Sequence, residues 1–293
     1  MLLLVRQGLR FPGFRPSVLS DGGWGPGVKN FGTPKAWLAS ESFTRKPVMR
    51  LNSSISLDYT PIEGLKISAI GAYNFTNEQQ KDFKATLPVN IDGVINTLGP
   101  SKLTEKNTNT EYKSFQATVN YAKSFNDVHN MDILVGYSWE DETARDLEAN
   151  RQNFPNNNYP YLTVGSPDVQ TNAGGGEDWV IQSIFGRAQY NYAERYLAEV
   201  TMRYDGSSRF PKDSRYAFFP SAALGWRLSE ESFIKENENL SFINNLKLKA
   251  SIGMLGNNNI GNYAYQSVYV LGDSYNYPLG GIIQQGASLV NYT

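Results

Sequence analysis

A single histidine and no cysteine narrow the chemistry open to this 293-residue chain. His129 stands alone in a predicted short turn, so neither a serine–histidine–aspartate triad nor a multi-histidine metal site is supported. A solvated turn residue accounts for it. Without cysteine there is no disulfide, thiolate zinc site or thiol nucleophile. Carboxylates do cluster, at Glu140–Asp141–Glu142, Glu177–Asp178 and Glu230–Glu231. Two carboxyls set across a sugar would serve glycoside hydrolysis. The first two groups sit at predicted loop ends and leave a loop calcium site open, though a solvated surface explains them as well. Neither a catalytic residue nor a resident cofactor is expected, and the chain is not read as an enzyme.

The most specific local pattern is Asp205, Gly206, Ser207, Ser208, Arg209 and Phe210. Its functional reading is the rim of a substrate path, with Arg209 offering a planar donor fork. Its structural reading, which is favoured, has Gly206 allowing a tight bend while Asp205 and Ser207 bond the turn backbone. Trp24, Trp37, Tyr159 and Tyr161 fall in predicted loops, where they would stack on sugar rings or hold the loops together.

The elements that would carry these residues are strands. From Tyr196 to Tyr204 the residues alternate, with Tyr196, Ala198, Val200, Met202 and Tyr204 against Leu197, Glu199, Thr201 and Arg203. The same period of two recurs over 220–228 and 245–254, and earlier over 49–59, 65–75, 115–121, 131–139 and, less cleanly at Gln182, 180–192. A turn and a ninth strand are expected after Met254. Residues 229–244 are expected to hold one helical turn after Ser229. Connections at 60–64, 126–130 and 193–195 are short, and polar connections at 76–110 and 140–177 are long. Tyrosines flank the strands. Short turns on one side, long loops on the other and aromatic ends fit an antiparallel transmembrane β-barrel, with short periplasmic turns and long extracellular loops, better than a soluble β-sandwich.

In a barrel, Arg203, Arg227, Lys247 and Lys249 would each cost roughly 2–4 kcal/mol if turned to lipid near the midplane. They are therefore expected to face the lumen and pair with Glu199 and Asp205. Twenty-seven basic and twenty-eight acidic residues nearly cancel, so no field draws nucleic acid. No apolar run is long enough for a transmembrane helix. Residues 1–48, rich in proline and glycine, read as a loop-rich segment without helix or central strand, and 49–293 as part of a barrel. The opening MLLLVRQGLRFPGF is not a convincing secretory signal, and an internal piece of a longer protein is expected.

The stretch RYDGSSRFPKDSRYAFFPSAALGWRLSEESF, followed by LKLKASIGMLGNNNIGNYAY, resembles the most recognisable part of the SusC/RagA family of TonB-linked outer-membrane proteins. The likeness is close over about residues 179–267 and is one of pattern over 49–143. Lys249 stands where arginine is commoner, and Met254 and Leu255 where a polar pair is usual. The resemblance implies a barrel of about twenty-two strands with a plugged lumen. It also implies import of oligosaccharides or peptides across the outer membrane, energy delivered by the TonB complex through a part outside these residues, and a SusD-like lipoprotein partner. The alternatives are an outer-membrane adhesion barrel without transport and a soluble secreted carbohydrate-binding β-protein. Detergent dependence separates the second from both barrels.

Overall fold

Long runs of period two, broken by turn residues, fold as strands because each pair satisfies the backbone of its neighbour while sorting side chains onto two faces. The computed structural model describes residues 16–27, 32–240, 242–271, 276–284 and 286–290. The reading of the opening segment as no secretory signal falls outside them. Nine strands make the main sheet: β1 (Phe43–Arg45), β2 (Val48–Ile62), β3 (Leu65–Lys84), β6 (Lys102–Phe125), β7 (His129–Gln152), β8 (Gln170–Tyr192), β9 (Tyr196–Ser207), β10 (Tyr216–Arg227) and β11 (Lys247–Gly253). Neighbours from β3 onward follow chain order, with β2 and β1 both on the outer side of β3. The architecture is all-β, as expected.

The polar stretches 76–110 and 140–177 contain less loop than their composition suggested. β3 runs on to Lys84, β6 begins at Lys102, β7 reaches Gln152 and β8 begins at Gln170. Polar pairs on the extended backbone replace apolar contacts there: Asn77 donates to Asn107 and Asn109, and Lys81 meets Glu105 at 2.9 Å. Between β3 and β6 lies a further hairpin, β4 (Leu87–Ile91) with β5 (Val94–Leu98). Its turn residues Asp92 and Gly93 both take positive φ, the geometry that matches strand twist. The ninth strand expected after Met254 forms as β12 (Val268–Leu271), outside the main sheet, where it pairs with β15 (Ala287–Val290). β13 (Tyr277–Leu279) pairs with β14 (Ile282–Gln284).

The proline-rich start was expected to hold no helix, yet α1 spans Pro34–Ala39. Thr33 caps it, its hydroxyl accepting from the Ala36 N–H at 3.1 Å, and Pro34 occupies the first turn, where a missing N–H costs nothing. The turn expected after Ser229 is present as α2 (Ser232–Lys235), between 3₁₀ turns at Leu228–Glu230 and Glu238–Leu240.

The chain divides into two compact units, one of residues 1–50, 75–110 and 144–176, the other of 51–74, 111–143 and 177–293. The first has an ordinary core. Phe83, Ala85, Leu103 and Phe154 cluster with Phe43, and Phe83 meets Phe154 edge-on at 5.4 Å. Ala36, Leu87 and Val89 gather Trp24 and Trp37, so those two tryptophans do hold the early segment together. The second unit has no such core. Among the described residues every buried apolar side chain but Ile234 belongs to the first unit.

Candidate functional site

A sheet without a core must put its apolar face somewhere. In the second unit Val200, Met202, Leu224, Trp226, Leu248 and Ile252 are all exposed. They share one face because cross-strand partners do: Val200 opposes Ala222, Leu224 opposes Ala198 and Ala250, and Trp226 opposes Tyr196 and Leu248. The bared face is a band of aliphatic side chains, stable only against another apolar phase.

The opposite face is polar and internally bonded. Arg203 contacts Asp205 at 3.1 Å and lies 5.0 Å over the Phe185 ring. Arg187 meets Asp132 at 3.3 Å, and Asp132 accepts from Asn120 at 3.0 Å. The Phe185 ring of β8 lies over Gly136 of the neighbouring β7, where a Cβ would come within 2.4 Å of it and push the ring aside. Gln189 donates to Glu199. Arg227 was expected to pair with Glu199 or Asp205. It instead reaches Glu194 at 3.2 Å and Glu230 at 3.6 Å, because it ends its strand beside the next turn. Lys247 and Lys249 oppose Arg227 and Gly225. They line a trough of about 1080 Å³ together with Glu199, Gln189, Asp132 and Asn130. Such a face suits water and polar cargo.

Aromatics mark both margins of the apolar band. At one end Tyr192, Tyr196 and Trp226 stack in sequence, with centroids 6.3 and 6.4 Å apart. His129 belongs to this group rather than to open solvent: its ring is 5.0 Å from Tyr192 and its Nδ1 is 2.6 Å from the Tyr190 hydroxyl. At the other end Tyr204 stacks on Tyr216 at 5.3 Å. From Tyr196 to Tyr204, at about 3.3 Å per residue, the band is about 26 Å along the strand. Strand tilt reduces that to roughly 20 Å across, near the height of a barrel's apolar belt.

The Asp205–Phe210 motif ends β9, and its parts do other work than expected. Gly206 has no positive φ, so it is not there for a bend; a Cβ at that position would sit 2.3 Å from the Tyr216 ring, which covers it. Asp205 binds Arg203 rather than the turn backbone. Ser207 does accept from the Arg209 N–H, at 3.3 Å, and Ser208 accepts from the Val180 N–H at 2.8 Å. Phe210 closes the turn through its N–H to the Ser207 carbonyl at 3.3 Å.

Arg209 spends its fork within the chain. Nε donates to Asn262 at 2.9 Å, Nη1 donates to the Asn258 carbonyl at 3.2 Å, and the guanidinium lies 5.1 Å over Trp179. Residues 257–263 are thereby strapped to the middle of β8 and the end of β9. Asn262 also donates to Glu177, and the Tyr263 hydroxyl, on a residue of positive φ, meets Asp178. Replacing Arg209 with alanine is expected to cost about 1–3 kcal/mol locally. Amide exchange should quicken over 257–263 and stay unchanged in the β9–β10 ladder, and lysine, lacking the planar fork, should not restore it.

The remaining carboxylates have similar internal partners. Glu140 accepts from the Tyr112 hydroxyl at 2.9 Å, Glu142 from Trp179 Nε1 at 3.1 Å, and Asp141 lies 3.8 Å from Lys113. Glu231 is the one that no local pattern singles out. It accepts from Trp226 Nε1 at 2.8 Å and from the Tyr196 hydroxyl at 2.7 Å, with Arg195 at 3.5 Å. The Trp226 and Tyr196 hydrogen bonds, helped by Arg195, hold its carboxyl below the usual range against the opposing effect of desolvation.

Comparison with known proteins follows the same lines. The family model described as TonB dependent receptor-like, beta-barrel matches residues 4–288. TonB-dependent receptor P3 of Formosa agariphila is 32% identical over 243 residues, covering 80% of this chain and 23% of that protein. TonB-dependent receptor SusC of Bacteroides thetaiotaomicron is 31% identical over 243 residues, covering 80% of this chain and 20% of SusC. The chain thus spans about a fifth to a quarter of these relatives. The solved structure of the RagAB peptide transporter overlays 89% of this chain and 28% of its own with a TM-score of 0.76 at 22% identity.

Proposed function

This chain belongs to the family of TonB-dependent receptor-like β-barrels, and we propose on that footing that it builds part of the wall of an outer-membrane importer. The two-faced sheet carries the reading: an apolar band about as tall as a bilayer belt on one side, and a bonded polar face on the other. Oligosaccharides or peptides are the cargo class, passing along the polar face. The likeness to the RagAB peptide transporter supports peptides, while exposed Tyr159 offers a ring for sugar stacking, one face of Tyr161 being taken by Lys81 at 4.7 Å. A SusD-like lipoprotein is the partner at the outer mouth, and the TonB complex supplies energy.

The test uses the protein expressed from its complete coding sequence in intact cells. Uptake of labelled oligosaccharide and peptide panels is expected to fall when either this gene or the TonB gene is deleted. Surface binding that persists without TonB, with no uptake to lose, would favour the adhesion barrel. Cysteines at 200 and 202 should resist a water-soluble thiol reagent while those at 199 and 203 react. Equal labelling would remove the membrane assignment.

A further inference from the structure

β10 does not turn directly into β11. Residues 228–246 intervene, although the neighbouring turns at 63–64 and 193–195 on the same end of the sheet are tight. The insert is a closed loop, the Ser229 N–H bonding the Leu246 carbonyl at 3.2 Å. Its fixed point is Glu231, only 9% exposed, whose Oε1 accepts from both Tyr196 and Trp226. Those two side chains are cross-strand partners on the apolar face, at its aromatic margin.

At the margin of a barrel, the polar tips of tyrosine and tryptophan are met by lipid headgroups or interfacial water. Here a carboxylate of the chain itself takes that position. The backbone that carries Glu231 must therefore run on the outward side of the wall, at headgroup depth. Two residues on, Phe233 is 58% exposed while its neighbour Ile234, on the protein side, is buried, and Phe242 is 75% exposed. Both phenylalanines stand uncovered in the same connection that carries Glu231.

We propose that residues 228–240 and Phe242 form an interfacial anchor, lying along the periplasmic leaflet of the outer membrane with Phe233 and Phe242 among the acyl chains and Glu231 setting their depth. This rests on the barrel-wall reading. The attraction is apolar rather than electrostatic, because the nearby cations already have partners: Arg195 lies against Glu231, and Lys235 against Glu230 at 2.8 Å. Raising salt should therefore leave the anchor seated.

The experiment places a nitroxide, through an introduced cysteine, at 233, 242 or 236 of the protein expressed from its complete coding sequence, any native cysteine having been replaced. Position 202 is the lipid reference. The protein is reconstituted in vesicles of phosphatidylethanolamine and phosphatidylglycerol, and collision with oxygen is compared with collision with a nickel chelate. Labels at 233 and 242 should favour oxygen several-fold, as at 202, and the label at 236 should favour the chelate, at low and high salt alike. In Glu231→Ala the label at 233 should move toward the chelate. Glu231→Gln, which keeps a carbonyl acceptor, should hold most of its depth. If 202 favours oxygen but 233 favours the chelate, or is shielded from both as in a protein contact, the anchor is wrong and the wall stands. If 202 itself favours the chelate, the wall reading fails and the anchor with it.

Discussion

Arginine in place of Val200 or Leu224 is expected to destabilise the assembled barrel by about 2–4 kcal/mol each, the cost of a guanidinium on the lipid face near the midplane. Val200 lies midway between Tyr196 and Tyr204, so a long side chain there is farthest from both aromatic margins. Its cross-strand neighbours are Ala188 and Ala222, and those of Leu224 are Ala198 and Ala250. None of them is a carboxylate that would neutralise the new charge. Ala223→Arg, one residue along and on the other face, is the control. It would oppose Glu199 and Ser251, and should change stability by less than about 1 kcal/mol, as exposed ion pairs do. The check is a urea titration of the heat-modifiable folded band, run on the protein from its complete coding sequence in vesicles. Similar losses for positions 200 and 223 would mean that the two faces meet the same solvent, and the membrane assignment would go.

That contrast also explains what the residues announced in advance. Wherever one face meets an apolar phase and the other does not, hydrophobicity alternates, and strands such as β9, β10 and β11 were legible with their facing. Beyond the band both faces meet polar surroundings. Thr104–Thr110 of β6 carries no apolar residue, and its strand character comes from pairing across the sheet, which no periodicity records. Two elements carry a local signal in their residues. Asp92-Gly93 between Leu87–Ile91 and Val94–Leu98 is the dipeptide that a tight hairpin favours, and Thr33-Pro34 is a cap followed by a first-turn proline. Other features needed the third dimension. The motif at 205–210 was legible as a place, but Gly206 serves the Tyr216 ring and Arg209 serves a strap lying some fifty residues on. Glu231 read as half of a carboxylate pair; only the stacking of Tyr196 on Trp226 gave it partners.

Residues 1–293 expressed by themselves are expected to yield aggregate and no inserted barrel. The main sheet has two margins, β2 with β1 beside β3 on one side and β11 on the other, and the strand order does not join them. Every residue of β2 and of β11 is exposed. Each margin presents a row of backbone groups without a strand partner. In hydrocarbon each such group costs several kcal/mol, so an open sheet has no stable place in a bilayer. Water is no refuge, because the band of Val200, Leu224, Leu248 and Ile252 would then be an exposed apolar face flanked by pairing edges. Direct pairing of β2 with β11 would close a barrel of eight strands, since β1 and β2 share one side of β3, and barrels of that strand number do exist with interiors only wide enough to be filled by side chains. That closure would press Arg203, Arg227, Lys247 and Lys249, together with the carboxylates Asp205, Glu194 and Glu230 that pair with the two arginines, into one narrow lumen, which opposes it by desolvation. The measurement is gel mobility before and after heating, with sedimentation in detergent. A monodisperse, heat-modifiable species from this chain alone would mean that β2 and β11 find each other, and that the polar face tolerates a radius far smaller than a receptor barrel gives it.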